Sequence, residues 1–154
     1  MIALDNSAFN IVLYQPEIPA NTGNIGRLCV GSNSKLHLIK PFRFLMDDKS
    51  LKRAGLDYWL ELDTTIHDSL DEILDAVPIE RVYFCTTKTT ISYLERSFQP
   101  GDYFIFGPES RGLPESLLEK YAERCITIPM SGKIRSINLS NSVAIILYEA
   151  IRQM

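Results

Sequence analysis

The sequence predicts an α/β domain with a mainly parallel sheet and helices on both faces of that sheet. Two observations lead to this fold class. Short apolar runs alternate with helix-like segments along the chain, and such runs are typical of strands buried on both faces of a parallel sheet. The C-terminal segment then shows a strong helical repeat of apolar residues. With 154 residues, the chain can bury one full hydrophobic core, so we expect a single domain over residues 1–154.

The predicted strands are short runs of β-branched, aromatic and aliphatic residues bounded by polar or turn residues. The runs that meet this description are Phe9–Tyr14, Leu36–Ile39, Val82–Thr86, Tyr103–Phe106 and Cys125–Ile128. Several of them are followed by proline or glycine. Because α/β folds bind ligands in the loops after their strands, these loops are the first place to look for function.

Helix candidates lie between the strands. They are Thr22–Gly31, Asp47–Ala54, Ser69–Ala76 and Pro114–Tyr121. Pro114 followed by Glu115 fits a first helical turn. Proline lacks only an N–H that would be unpaired there, and a carboxylate complements the positive end of the helix.

The last helix has the clearest pattern. Its apolar face is formed by residues at helical spacing: Leu139, Val143, Ile146, Leu147, Ala150 and Ile151. Tyr148 lies off this face, and a helix that is apolar on more than one side usually has a second partner. We therefore predict a homodimer packed partly through this helix. The alternative is that Tyr148 is an ordinary surface residue.

Composition excludes several classes of protein. The formal net charge is −3, so the chain lacks the overall basic character of many nucleic-acid binders, and any RNA surface must be local. No apolar run approaches the roughly 18 residues of a membrane span. The N-terminus lacks the basic and apolar segments of a secretory signal. We expect a cytoplasmic protein that does not bind membranes.

The cysteine pattern argues against a disulfide framework and a zinc site. Cys29, Cys85 and Cys125 are far apart and set among apolar residues, which favours reduced, buried thiols. With only His37 and His67 as imidazole ligands and no Cys-x-x-Cys motif, we expect no bound metal.

The loop after the first predicted strand runs from Pro16 to Arg27. Asn21 or Thr22 could cap the following helix, whose free N–H groups would then face an incoming anion. Arg27 could bring a planar guanidinium to the same place. The loop matches neither a G-x-G-x-x-G nor a Walker motif. A capped helix with a solvated arginine is the alternative.

A second loop, Phe106–Pro114, places two glycines and two prolines around Glu109 and Arg111. This composition predicts a tightly shaped turn, and its glycines would let a ligand touch the backbone. A plain strand-to-helix connection is the alternative.

The third loop, Ile128–Ser142, leads into the final helix. Ser136, Asn138, Ser140 and Asn141 bring short hydrogen-bonding side chains to one helix entrance. One such residue would be an N-cap. Four exceed what capping requires and favour the polar floor of a pocket.

These three loops resemble the motifs of the SPOUT superfamily of RNA methyltransferases. The matching segments are NTGNIGRLC (Asn21–Cys29), FGPESRGLP (Phe106–Pro114) and IPMSGKIRSINLSNSVAIILYEA (Ile128–Ala150). The segments IVLYQPEIPANTGNIGRLC, DDKSLKRAGLDYW and NLSNSVAIILYEAIRQ look like its TrmL (YibK) branch. The resemblance runs in order over nearly the whole chain.

The resemblance implies a stand-alone tRNA methyltransferase. Such an enzyme uses S-adenosylmethionine to methylate the ribose 2′-oxygen of the wobble nucleotide, a cytidine or a modified uridine, in the anticodon stem-loop of tRNA. It also implies a homodimer and a C-terminal segment threaded into a deep trefoil knot.

The resemblance further places the cofactor against Cys85, Gly107, Ile128, Met130 and Ser136. Ile128 and Met130 would form apolar walls for the adenine, with backbone groups reading its edge. Gly107 would let the cofactor lie against the main chain.

Arg27 matches the arginine that the family implicates in catalysis, with Asn24 beside it for RNA binding. Asn138 and Ser140 would orient the ribose. Methyl transfer is an in-line displacement, so alignment of the 2′-oxygen supplies much of the rate. Because arginine is too basic to accept a proton readily, we expect Arg27 to hold the adjacent phosphate and stabilise negative charge developing on that oxygen.

Two other functions stay open. One is a non-catalytic RNA- or nucleotide-binding module of the same fold, although the presence of Arg27 and the complete third loop speaks against it. The other is a ribosomal RNA 2′-O-methyltransferase. Such relatives often carry an extra RNA-binding domain, for which 154 residues leave no room.

Overall fold

The structure is a computed structural model that describes residues 1–4, 8–44 and 60–154. Within these residues, six strands form one sheet in the order β3-β2-β1-β5-β4-β6. The strands are β1 (Asn10–Tyr14), β2 (Lys35–Ile39), β3 (Thr64–His67), β4 (Val82–Cys85), β5 (Tyr103–Phe106) and β6 (Cys125–Ile126). Every pairing between these strands is parallel, which confirms the predicted sheet.

Helices cover both faces of the sheet, as predicted. In the described part of the chain they are α1 (Pro19–Gly31), α2 (Asp71–Leu74), α3 (Glu115–Lys120) and α4 (Leu139–Arg152). Ile25 of α1 and Val143 of α4 belong to one buried cluster, while Ile73 of α2 and Leu118 of α3 belong to another. The alternation of side chains along β1 divides the strand between the two clusters, since Ile11 joins the first and Val12 the second. None of these helices is long and apolar enough to cross a bilayer.

The strand that sequence reasoning missed is β3, at the edge of the sheet. Its residues are half-buried or exposed, and its one aliphatic side chain, Ile66, is 43% exposed. The buried apolar run used to find the other strands is therefore missing here. The predicted strand Cys125–Ile128 ends earlier, at Ile126, and the predicted helix Ser69–Ala76 is shorter, at Asp71–Leu74. The predicted helix Asp47–Ala54 lies outside the described residues.

The three cysteines are free thiols. Burial raises the pKa of the Cys29 thiol to about 12, and it also raises the pKa values of Cys85 and Cys125. All three are therefore protonated at neutral pH. Cys29 and Cys125 are buried, and Cys85 is half-buried.

A buried histidine links three neighbouring strands of the sheet, β1, β2 and β3. His37 Nε2 lies 2.9 Å from Asn10 Oδ1, and His37 Nδ1 lies 2.9 Å from His67 Nε2. Because Asn10 Nδ2 donates to the carbonyl of Gly101, its Oδ1 is the acceptor, and the neutral His37 ring carries its proton on Nε2. Burial and the neighbouring His67 lower the pKa of His37 to about 4.

We expect the free energy of unfolding to fall as the pH drops from 6.5 towards about 4. In this window His37 is neutral in the folded chain but protonated in the unfolded chain, so the unfolded state binds more protons and is favoured. His37→Gln removes the titrating ring and should flatten the dependence of Tm on pH in that window. Thermal melts of both proteins test this, and equal slopes would contradict it.

Candidate functional site

A cavity of about 510 Å³ lies at the carboxyl ends of β4, β5 and β6. All the residues that the resemblance assigned to the cofactor line this one cavity: Cys85, Gly107, Ile128, Met130 and Ser136. They come from three separate parts of the chain: the last residue of β4, the loop after β5 and the loop after β6. The volume falls in the range of small-molecule sites in proteins. The fold therefore brings the second and third loops together around one ligand-sized space.

The residues predicted for catalysis and RNA binding are placed differently. Asn138 lines the cavity, whereas Asn24, Arg27 and Ser140 do not. Asn24 and Arg27 are exposed on α1, three residues apart and so on the same side of the helix. Asn24 and Arg27 therefore lie outside the cavity, on the exposed side of α1.

The polar residues of the third loop divide between pocket and cap. Ser136 and Asn138 line the cavity, but Ser140 and Asn141 do not. Asn138 is the N-cap of α4: its Oδ1 accepts from the backbone N–H of Ser140 at 2.8 Å and of Asn141 at 3.4 Å. The Ser140 hydroxyl also donates to Asn138 Oδ1, at 2.5 Å. Asn138 and Ser140 therefore take part in capping α4, whereas we predicted that they would form the floor of a pocket.

The predicted cap of α1 is wrong. The helix begins at Pro19, three residues earlier than predicted, so Asn21 and Thr22 lie inside its first turns. The residue at the cap position is Ile18, whose side chain cannot accept a hydrogen bond. The first N–H groups of this segment need an acceptor from elsewhere in the chain.

That acceptor is Glu109 in the second loop. Its carboxylate accepts from the backbone N–H groups of Glu17 and Ile18 at 2.9 and 2.8 Å, and from Asn21 Nδ2 at 3.2 Å. The start of α1 therefore faces a carboxylate of the chain itself rather than an incoming anion. Sequence reasoning missed this role of Glu109; the signal was a helix start without a capping side chain.

Further hydrogen bonds join all three loops. The carboxylate of Glu17 accepts from the backbone N–H and the hydroxyl of Ser110 at 2.7 and 2.9 Å, and these bonds lower the pKa of Glu17. Asn138 Nδ2 donates to Asn21 Oδ1 at 3.2 Å. We call these five residues, Glu17, Asn21, Glu109, Ser110 and Asn138, the loop clasp. The clasp ties α1, which carries Arg27, to the walls of the cavity.

Glu109→Ala should lower the free energy of unfolding by about 1–2 kcal/mol, because it leaves the N–H groups before α1 without their acceptor. Glu119→Ala is the matched control, since Glu119 is an exposed residue of α3. Chemical denaturation of both variants measures the difference. Equal losses would show that the clasp does not stabilise the chain.

Gly107 is required by the second loop itself. A Cβ atom at this position would lie 2.4 Å from the backbone C of Gly112 and 2.4 Å from the backbone N of Leu113. We expected glycine here because of the approach of a ligand, whereas the structure shows that the loop folds back against this residue. The residue still lines the cavity.

The charge of the cavity lining is positive, although the whole chain is slightly acidic. Its basic side chains are Lys88, Arg111 and Arg135, and its one acidic side chain among the described residues is Glu109, which the clasp engages. A local basic surface of this kind is what an RNA substrate requires. In the described ranges no three His, Cys, Asp or Glu side chains form a possible metal site.

Comparisons with known proteins agree with this geometry. The SpoU rRNA methylase family matches residues 8–148. A tRNA (cytidine(34)-2′-O)-methyltransferase of Escherichia coli strain K12 is 51% identical over 146 residues, which cover 94% of this chain and 93% of that protein. A solved structure concerned with 2-OH methylation of C/U34 on tRNA is 44% identical, with a TM-score of 0.87 and 95% of each chain covered.

A more distant structure shares the fold alone. It is the SpoU methyltransferase AviRb of Streptomyces viridochromogenes in complex with the cofactor AdoMet, at 23% identity and a TM-score of 0.79. The similarity covers 99% of this chain and 60% of that one. The family match and the near-full-length identity confirm the resemblance of the three motifs: the chain belongs to the SpoU rRNA methylase family.

Proposed function

We propose that this chain transfers the methyl group of S-adenosylmethionine to the ribose 2′-oxygen of nucleotide 34, a cytidine or a modified uridine, in the anticodon stem-loop of tRNA. The observation that carries the proposal is the 51% identity to a relative named for this reaction, over 93% of that relative's length. The convergence of the second and third loops on one cavity supports it. A tRNA-modifying enzyme of this kind acts in the cytoplasm.

The cavity suits S-adenosylmethionine. Ile128 and Met130 are half-buried apolar side chains that can contact the adenine, and Ser136 and Asn138 offer polar groups on the same lining. Arg135 can pair with the carboxylate of the methionyl part. When bound, the cofactor supplies an electrophilic methyl group on a sulfonium centre.

The residues of the chain then position the RNA. Arg27 holds the phosphate next to the target ribose and stabilises negative charge on the 2′-oxygen as its proton leaves. Asn24, on the same exposed side of α1, binds the neighbouring backbone. The Ser140 hydroxyl gives its own proton to Asn138 Oδ1, so its lone pairs can accept from the ribose hydroxyl. Asn138 holds that serine in place.

We also propose a homodimer packed partly through α4 and a C-terminal trefoil knot, both implied by the family resemblance. Two apolar side chains of α4 support the dimer, because Ile145 is 36% exposed and Tyr148 is 45% exposed. A dimer would also combine the basic side chains of two chains into one RNA-facing surface.

Sedimentation of the wild type at micromolar concentration should therefore give a dimer. Tyr148→Arg should shift the equilibrium towards monomer, because it places a charge in an apolar contact. Arg152→Lys, one turn farther along α4, keeps the charge and serves as the control. A monomeric wild type would contradict the dimer.

The activity can be tested with two synthetic anticodon stem-loops that differ only at nucleotide 34, one with cytidine and one with 2′-deoxycytidine. We expect labelled methyl to enter the first and not the second, since only the first has the acceptor oxygen. Equal labelling would place the methyl group on a base or on the ribose of another nucleotide. Labelling of a ribosomal RNA fragment but not of tRNA would favour the ribosomal RNA alternative, and labelling of neither would favour the binding module.

A further inference from the structure

A second cleft of about 300 Å³ lies beside the cavity. Tyr14 and Gln15 line it from the end of β1, Lys88 from the loop after β4, and Glu115 from the start of α3. Four residues of the second loop line both the cleft and the larger cavity: Pro108, Arg111, Gly112 and Leu113. Lys88 also lines both. The two spaces therefore share a wall formed by the second loop.

The second cleft lies where the connections of the sheet diverge. β1 and β5 are neighbours in the sheet. The chain leaves β1 for α1 on one face and leaves β5 for α3 on the opposite face. In open α/β sheets, a crevice forms outside the carboxyl ends of two strands whose connections diverge in this way, and ligands bind there. The topology of the sheet and the shape of the surface therefore independently indicate a ligand site at the second cleft.

The lining of this cleft combines an aromatic ring with two cations. Tyr14 packs against the core cluster that contains Val12 and Leu118, and it is half-buried, so part of its side chain is accessible from the cleft. Arg111 Nη2 donates to Gln15 Oε1 at 3.2 Å, and Lys88 Nζ lies 3.1 Å from Glu115 Oε1. The two cations outnumber the single carboxylate, which leaves one net positive charge. An aromatic face for a base and cations for a phosphate are the groups with which proteins hold single-stranded RNA.

We propose that the second cleft binds a nucleotide of the substrate RNA that flanks the methylated one. The base of that nucleotide stacks on Tyr14, and its phosphate pairs with Lys88 and Arg111. Nucleotides in an RNA loop can present unstacked bases to such a site. The shared wall places the flanking nucleotide directly beside the cavity that holds the cofactor. This inference rests on the proposed function, because it names a subsite for the same substrate.

Substitutions of Tyr14 test the stacking. Tyr14→Leu keeps an apolar side chain but removes the ring, and it should weaken binding of the anticodon stem-loop by about tenfold or more. Tyr14→Phe keeps the ring and should restore most of the affinity. The Kd for S-adenosylmethionine should be the same in both variants, which shows that the fold and the cavity are intact. Equal RNA affinity of Tyr14→Leu and the wild type would overturn the proposal.

Glu115→Gln provides a second test that does not touch the packing of β1. Removal of the carboxylate frees Lys88 for the phosphate, so RNA binding should tighten several-fold at low salt, with a smaller effect at high salt. Glu119→Gln makes the same charge change on α3 away from the cleft and should leave RNA affinity as it was. Equal effects of the two substitutions would refute the subsite.

The wild-type protein separates this inference from the proposed function. If the wild type methylates the stem-loop while Tyr14→Leu and Glu115→Gln behave like it, the subsite alone is wrong. If the wild type neither binds nor methylates the stem-loop, the proposed function fails and the subsite falls with it.

Discussion

Arg27→Ala should lower the rate of methyl transfer by roughly 100-fold or more, the usual scale for the loss of one preorganised group that stabilises charge. The affinity for S-adenosylmethionine should hardly change, because Arg27 is exposed on α1 and does not line the cavity. Arg27→Lys should recover little activity, since an ammonium cannot reproduce the two parallel hydrogen bonds of a guanidinium. Single-turnover rates at saturating tRNA and cofactor measure the effect.

The alternative role for Arg27 is structural, a brace for α1. In that case Arg27→Ala would lower Tm and leave the turnover of each folded molecule intact, so Tm and rate must be measured on one preparation. Lys120→Ala is the control for the loss of a charge, because Lys120 is exposed at the end of α3 and lines neither space. Full activity of Arg27→Ala would show that Arg27 is not a catalytic residue.

Gly107→Ala should reduce both stability and cofactor binding. The added Cβ would lie 2.4 Å from the backbone of Gly112 and of Leu113, so the second loop must move away. Forced overpacking of this kind costs about 1–3 kcal/mol. The displaced loop forms one wall of the cavity, so the affinity for S-adenosylmethionine should fall by about tenfold or more, as a loss of about 1.4 kcal/mol would produce.

Gly31→Ala is the matched control for that substitution. Gly31 lies at the end of α1, and a Cβ there would meet nothing within 4 Å. We expect it to leave cofactor affinity unchanged and to stabilise the helix slightly. Calorimetric titration and thermal melts of both variants decide the matter. If Gly107→Ala bound the cofactor as well as Gly31→Ala does, the packing of the second loop would not shape the pocket.

The sequence predicted the elements whose residues are buried and locally patterned. The final helix was predicted from an apolar face that runs from Leu139 to Ile151, and the observed helix, Leu139–Arg152, contains this whole face. β3 was missed because an edge strand with exposed side chains has no such pattern. The start of α1 was misplaced because its acceptor, Glu109, is 91 residues from Ile18 along the chain. Local capping rules cannot find a partner at that separation.

The resemblance predicted only part of the candidate site. The resemblance assigned residues to the cofactor, and the fold brings two of them that are far apart in sequence, Cys85 and Ser136, to one cavity. The loop clasp and the second cleft depend on which loops meet in space. Tyr14 gives no signal of a ligand site by itself, since an aromatic residue at the end of a strand is usually part of the core. The divergence of the connections after β1 and β5 and the shape of the cleft point to it, and both require the folded structure.

Transfer of labelled methyl from S-adenosylmethionine to total tRNA, followed by nucleoside analysis, is the decisive measurement of the proposed 2′-O-methylation. We expect label in 2′-O-methylcytidine or in a 2′-O-methylated modified uridine, derived from the wobble position of a small set of tRNAs. Protein with Arg27→Ala should transfer roughly 100-fold less label in the same assay. Label on a nucleobase, at another tRNA position or only in ribosomal RNA would contradict the account.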